Sequence, residues 1–160
     1  MRVLGIDPGY ERLGIAVIER VHKNAEELLF SDCFRTSAKL PFAERLRVLG
    51  VLIERVIHEY QPETLAYERL YFNTNQKTVM GVAEVRGVVS YVCAKAGLTV
   101  YDYAPPQIKM ALSGWGRASK PQIAHMVGKL IHIPEKKRLD DEYDAIAVAL
   151  THLAHAREPS

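Results

Sequence analysis

A chain of 160 residues with 48% apolar and 25% charged side chains is long enough to bury one substantial core, and that balance excludes disordered and fibrous classes. Neither a signal peptide nor an apolar run long enough to cross a bilayer is legible, so a cytoplasmic protein with no membrane partner is expected. The net charge of +2 hides an asymmetry: Lys109, Arg117, Lys120, Lys129, Lys136, Lys137 and Arg138 face only Glu135 within one stretch, which suggests a surface for a polyanion.

The chain opens with Val3 to Ile6, an apolar run cut off by Asp7-Pro8-Gly9, and a second run follows from Leu13 to Ile18. Two strands joined by a tight turn are expected, with Asp7 at the lip of a buried strand. Such a carboxylate is held rigidly enough to bind a divalent cation, although Asp-Pro-Gly is also ordinary turn chemistry. Leu28 to Arg35 reads as a third strand pairing with the second.

From Pro41 to Tyr60 the apolar residues recur at helical spacing, giving an amphipathic helix that Pro62 ends. Thr64 to Glu68 is a short buried strand, again ending in a carboxylate. Lys77 to Ala96 is a second helix capped by Gly97, with two apolar faces: Val82, Val85, Val89, Val92, Cys93 and Ala96 on one, Met80, Ala83, Gly87, Tyr91 and Ala94 on the other. Two faces mean two things to pack against, either within one subunit or across a homodimer.

Thr99 to Tyr103 is a further strand, and Ala104-Pro105-Pro106 starts a short helix carrying Lys109. The loop from Gly114 to Lys120 leads to Ser119 as an N-cap and to a helix turning Ile123, Met126, Val127, Leu130 and Ile131 inward. A last helix spans about Asp140 to His155. Cys33 and Cys93 lack metal-type spacing and read as reduced core residues. Strands first, then helix and strand in alternation, then helices describe one α/β domain, a mixed sheet flanked by helices.

Asp141 and Asp144 stand three apart near the start of the last helix and so share a face. Alone they suit the helix dipole. Combined with Asp7 and Glu68 at two strand ends they form a carboxylate cluster whose mutual repulsion a metal ion would relieve. Oxygen donors without His or Cys point to Mg²⁺ or Mn²⁺, and two such ions beside a cationic surface suit phosphodiester hydrolysis.

Gly5-Ile6-Asp7-Pro8-Gly9, the Glu68 strand end, Arg86-Gly87, the Lys109 and Lys120 segment and Asp141-x-x-Asp144-Ala145 together resemble the RuvC family of bacterial Holliday junction resolvases over essentially the whole chain. The resemblance implies an RNase H-like nuclease domain over residues 1–157 with a short tail at 158–160. It also implies a homodimer, paired magnesium-dependent incisions of four-way junction DNA during recombination and repair, and the branch-migration proteins RuvA and RuvB as partners. By motif, Asp7, Glu68, Asp141 and Asp144 would be the metal-binding catalytic carboxylates and Lys120 a catalytic cation. Lys109, Arg117, Lys120, Tyr71 and Phe72 would contact DNA, with Tyr71 or Phe72 at the crossover. Arg69 replaces the glutamine often found after the glutamate.

Three rival readings share parts of this pattern. An RNase H-like nuclease that trims ribosomal RNA precursors shares the Gly-x-Asp-Pro-Gly strand. Actin-like ATPases and sugar kinases open with a Gly-x-Asp-x-Gly hairpin, but need a second similar domain. A junction-binding module without chemistry would place four carboxylates against phosphate.

Overall fold

The chain is described by a computed structural model covering residues 1–9, 11–22, 25–70 and 76–156. In chain order the elements are β1 (Arg2–Asp7), β2 (Arg12–His22), β3 (Ala25–Arg35), α1 (Phe42–Tyr60), β4 (Thr64–Glu68), α2 (Gln76–Lys95), β5 (Thr99–Tyr103), α3 (Pro105–Ser113), α4 (Lys120–Leu130) and α5 (Asp140–His155). The five strands form one mixed sheet in the order β3-β2-β1-β4-β5. β2 is antiparallel to β1 and β3, whereas β4 runs parallel to both β1 and β5.

Successive strand side chains alternate between faces, and here both faces are covered. Leu4, Ile6, Ile15, Val17, Leu65 and Tyr67 turn toward α1 and α2, where Leu49, Ile53, Val85, Val89 and Cys93 complete one core. Val3, Ala16, Ile18 and Ala66 turn the other way, onto α5 with α3 and α4 outside it. Each fully buried Leu, Ile or Val contributes on the order of 1.5–3 kcal/mol relative to exposure.

α5 lies unusually close to the sheet because glycine and alanine leave it room. A Cβ on Gly5 would run into the Ala145 carbonyl and the Ala149 methyl, and one on Gly14 would run into the Asp141 carbonyl. The helix is seated on bare backbone at both points, which fixes its height and rotation over β1 and β2.

Local chemistry accounts for most of the boundaries. Gly97, at φ +86°, ends α2 with the Leu98 N–H donating to the Cys93 carbonyl at 3.0 Å. Ser119 caps α4: its hydroxyl accepts from the Gln122 N–H, and Gln122 Oε1 accepts from the Ser119 N–H.

Three expectations need correction. β2 and β3 extend beyond their apolar runs, because their antiparallel ladder continues to His22 and Ala25 with exposed polar residues. In α4, Ile123, Val127 and Ile131 are buried, but Leu130 is 47% exposed and Met126 only partly covered. The stripe that meets α5 is a narrow i, i+4, i+8 row, and Leu130 falls outside it. Ala96 is exposed rather than on the sheet, since it lies past the last helical residue of α2.

Candidate active site

β1 and β4 run parallel with Ile6 beside Tyr67, so the next residues, Asp7 and Glu68, end adjacent strands at the same edge of the sheet. Ile6 and Tyr67 belong to the α1–α2 face, so alternation turns both carboxylates toward α5. α5 enters at that edge with its N-terminus, and Asp144 in its first turns meets them. A cavity of about 350 Å³ results, lined by Asp7, Glu68, Asp144, Lys109 and Lys120 over a floor that includes Ile108 and Ile123. Asp7 and Glu68 also border an adjoining hollow of about 220 Å³ that reaches Arg69 and Leu70.

The charges there are poorly balanced. Burial first, then the nearby charges of Asp144, Asp141 and Glu68, raise the Asp7 pKa to about 7, with only Lys120 opposing. Glu68 is raised by burial and by Asp144, with Lys120 and Lys109 pulling it down. Lys120 Nζ stands 2.7 Å from Asp144 Oδ2, and this hydrogen bond raises the lysine's own pKa. Asp141 sits apart from the cavity lining. Its buried Oδ2 accepts no hydrogen bond, with the Arg12 Nε at 3.4 Å.

The carboxylates line a wall and do not close on one point. Among the described residues no three His, Cys, Asp or Glu side chains are grouped closely enough to hold a metal ion by themselves. The donor set nevertheless suits a hard cation, for two reasons. The like charges of Asp144, Asp141 and Glu68 add to burial in pushing Asp7 to about 7, and Asp141 Oδ2, although ion-paired with Arg12, is buried and accepts no hydrogen bond.

Of the other residues singled out in the sequence, Arg117 is exposed on the loop before α4 and does not line the cavity. Tyr71 and Phe72 lie outside the described residues. Arg69 turns to β5, with Nε and Nη2 at 3.0 and 3.2 Å from the two oxygens of Asp102, so its charge beside Glu68 is paired with a carboxylate of the neighbouring strand. The basic stretch is less free than its composition suggests. Lys136 Nζ and Arg138 Nε both stand 2.9 Å from Glu142 Oε1, which also accepts from Ser31 Oγ at 2.6 Å. Glu142 is 3% exposed and the Arg138 side chain 4%, so these charges anchor the start of α5 to β3.

Three residues with structural claims on the site were not assigned to it from sequence. Arg12, at the start of β2, faces Asp141 of α5, and no local pattern announces it. Arg86 of α2 donates to the Glu68 carbonyl and lies 3.9 Å above the Tyr67 ring, whose hydroxyl is 2.9 Å from Ser90 Oγ. Arg86 therefore fixes the end of β4 from the opposite face. Glu142 could have been found from its i, i+4 spacing with Arg138.

The sequence matches the family described as crossover junction endodeoxyribonuclease RuvC over residues 3–152. It is 44% identical over 158 residues to the crossover junction endodeoxyribonuclease RuvC of Desulfitobacterium hafniense, covering 98% of this chain and 93% of that one. It is 41% identical over 156 residues to the RuvC of Moorella thermoacetica, covering 98% and 93%. The fold superposes with a TM-score of 0.91 on Thermus thermophilus RuvC in complex with a Holliday junction substrate, at 34% identity over 97% of this chain and 94% of that one.

Proposed function

The chain belongs to the RuvC family of crossover junction endodeoxyribonucleases, and from that premise we propose that it resolves four-way DNA junctions by metal-dependent phosphodiester hydrolysis in recombination and repair. The observation that carries the chemistry is the convergence of Asp7, Glu68 and Asp144 with Lys109 and Lys120 on one open cavity.

Asp7, Glu68 and Asp144, with Asp141 beside them, are the residues that would hold Mg²⁺ or Mn²⁺, two ions being the number the reaction type favours. Bound there, hard cations would activate water and stabilise the leaving oxygen. The chain's own groups do the rest. Asp7 titrates near neutrality, so the cluster is ready to exchange a proton for a cation. Lys120, exposed on its free side and tethered to Asp144, presents an ammonium at the cavity mouth where a phosphate gathers charge. Lys109 lines the same wall and lowers the cost of bringing DNA near three carboxylates.

Paired incision of a two-fold junction needs two such sites, and α2 supplies a face for a homodimer. Met80 and Tyr91 are 65% and 67% exposed, with Ala83, Gly87 and Ala94 exposed between and beside them. A contiguous apolar stripe at helical spacing, uncovered among the described residues of one subunit, is what a partner helix would cover. RuvA and RuvB are proposed as further partners on the family resemblance alone.

Against the ribosomal RNA nuclease stands the family match over nearly the whole chain, and the same match tells against the non-catalytic module. A synthetic four-way junction incubated with the protein and Mg²⁺ should be cut symmetrically into nicked duplexes, with no cutting in chelator. Cutting of single-stranded RNA in place of junctions would overturn the reading. Light scattering should give twice the subunit mass at micromolar concentration, and a monomer there would sink the dimer.

A further inference from the structure

Trp115 is the only tryptophan of the chain, and it stands on the surface. Its loop between α3 and α4 is tied down at several points. Gly114, at φ +71°, ends α3. The Trp115 N–H donates to Ser113 Oγ at 3.2 Å, Ser113 Oγ donates to the Lys109 carbonyl at 2.7 Å, and the Ala118 N–H donates to the Trp115 carbonyl at 3.1 Å. A pinned loop that leaves a large aromatic residue 54% exposed presents a preformed surface with little ordering left to do on binding.

Beside the ring lies a hollow of about 410 Å³, walled by Trp115, Ala118, Pro121, His125 and Met126, with no carboxylate in its lining. The hollow shares no lining residue with the catalytic cavity, but consecutive residues at the start of α4 serve the two: Lys120 bonds Asp144, whereas Pro121 lines the hollow with Trp115. Arg117 is exposed within the same loop. With Arg117 two residues from Trp115 on the same loop and Lys120 opening α4 just after it, an aromatic surface edged by cations and free of acidic groups in its lining suits a nucleic-acid strand.

We infer that Trp115 is a stacking platform for a base that has left its pair beside the scissile phosphate, continuing the DNA path from the carboxylates across the start of α4. The ring face can meet only an unpaired base, because in a continuous duplex both faces of a base are covered by its neighbours. Stacking tolerates any base, so it would sense distorted structure and not sequence. The inference rests on the proposed action on DNA junctions.

Because Trp115 is the sole tryptophan, its emission reports this site alone. Titration with a synthetic four-way junction in chelator should quench it saturably, and a linear duplex of the same length should quench it far less. Trp115→Ala should weaken junction affinity by about 5- to 100-fold without changing the slope of affinity against salt, and Trp115→Phe should restore most of the loss. Unquenched emission at saturation overturns the inference. So does wild-type affinity in Trp115→Ala, or a loss that phenylalanine does not repair. If the wild-type protein binds no junction in a gel shift, the nuclease reading falls with it, whereas junction binding with unchanged emission removes only the role of Trp115.

Discussion

Lys120 Nζ lies 2.7 Å from Asp144 Oδ2, across 24 residues of sequence and between the first turns of two different helices. The pair is partly exposed, so its worth to stability is small, and its consequence is electrostatic placement. It holds one ammonium against the cavity wall on which Asp7 and Glu68 have raised pKa values.

Replacing Lys120 by alanine should therefore lower the cleavage rate at saturating enzyme by about 100-fold, the scale on which removing one charge-stabilising donor acts. Lys120 also opposes the rise of the Asp7 and Glu68 pKa values, so the acidic limb of the pH–rate profile should move to higher pH. A variant that binds more weakly but turns over at the wild-type rate would show the lysine to be a phosphate tether only.

Asp7→Asn keeps shape and hydrogen-bonding capacity while deleting the charge that would anchor a cation. Cleavage should fall by at least about three orders of magnitude. Junction affinity measured in chelator should hold or rise, because one negative charge facing phosphate is gone. Near-wild-type nicking by this variant would remove Asp7 from the chemistry.

The same residue should make the stability of the metal-free protein depend on pH. With Asp7 at about 7 when folded and near 3.8 when unfolded, the native state binds the extra proton between those values. Stability is then greatest at the acidic end of that window and is lost as pH rises from about 4 to about 7. Thermal melts in chelator should show a lower midpoint at pH 8 than at pH 5.5. Asp7→Asn should flatten that dependence, and Mg²⁺ should raise the wild-type midpoint at pH 8. A wild-type midpoint that increases with pH in chelator would contradict the burial of an uncompensated carboxylate.

Glu142 is the buried counterpart of Arg138 and Lys136. Glu142→Ala should cost roughly 3–5 kcal/mol in urea unfolding, because it strands a guanidinium that is almost fully buried. Converting Arg138 to Met in the same chain should recover part of the loss. The single variant Lys136→Ala should leave the salt dependence of junction binding almost unchanged, in contrast to Arg117→Ala, whose exposed charge remains available to phosphate.

Periodicity and punctuation in the sequence determined the order and type of every element, because apolar spacing, proline breaks and glycine caps act over a few residues at a time. The four carboxylates were also legible, Asp7 and Glu68 from their positions at the ends of apolar runs and Asp141 and Asp144 from helical spacing. What the tertiary structure alone decided was which of them meet. Parallel pairing of β1 with β4 put Asp7 beside Glu68, and the bare backbone at Gly5 and Gly14 let α5 approach closely enough to bring Asp144 to both. Asp141 was left facing Arg12. The basic stretch was divided in the same way: Lys109 and Lys120 reached the cavity, whereas Lys136 and Arg138 were taken up by Glu142. Composition could count those charges, but burial and distance decided which of them could still act on a ligand.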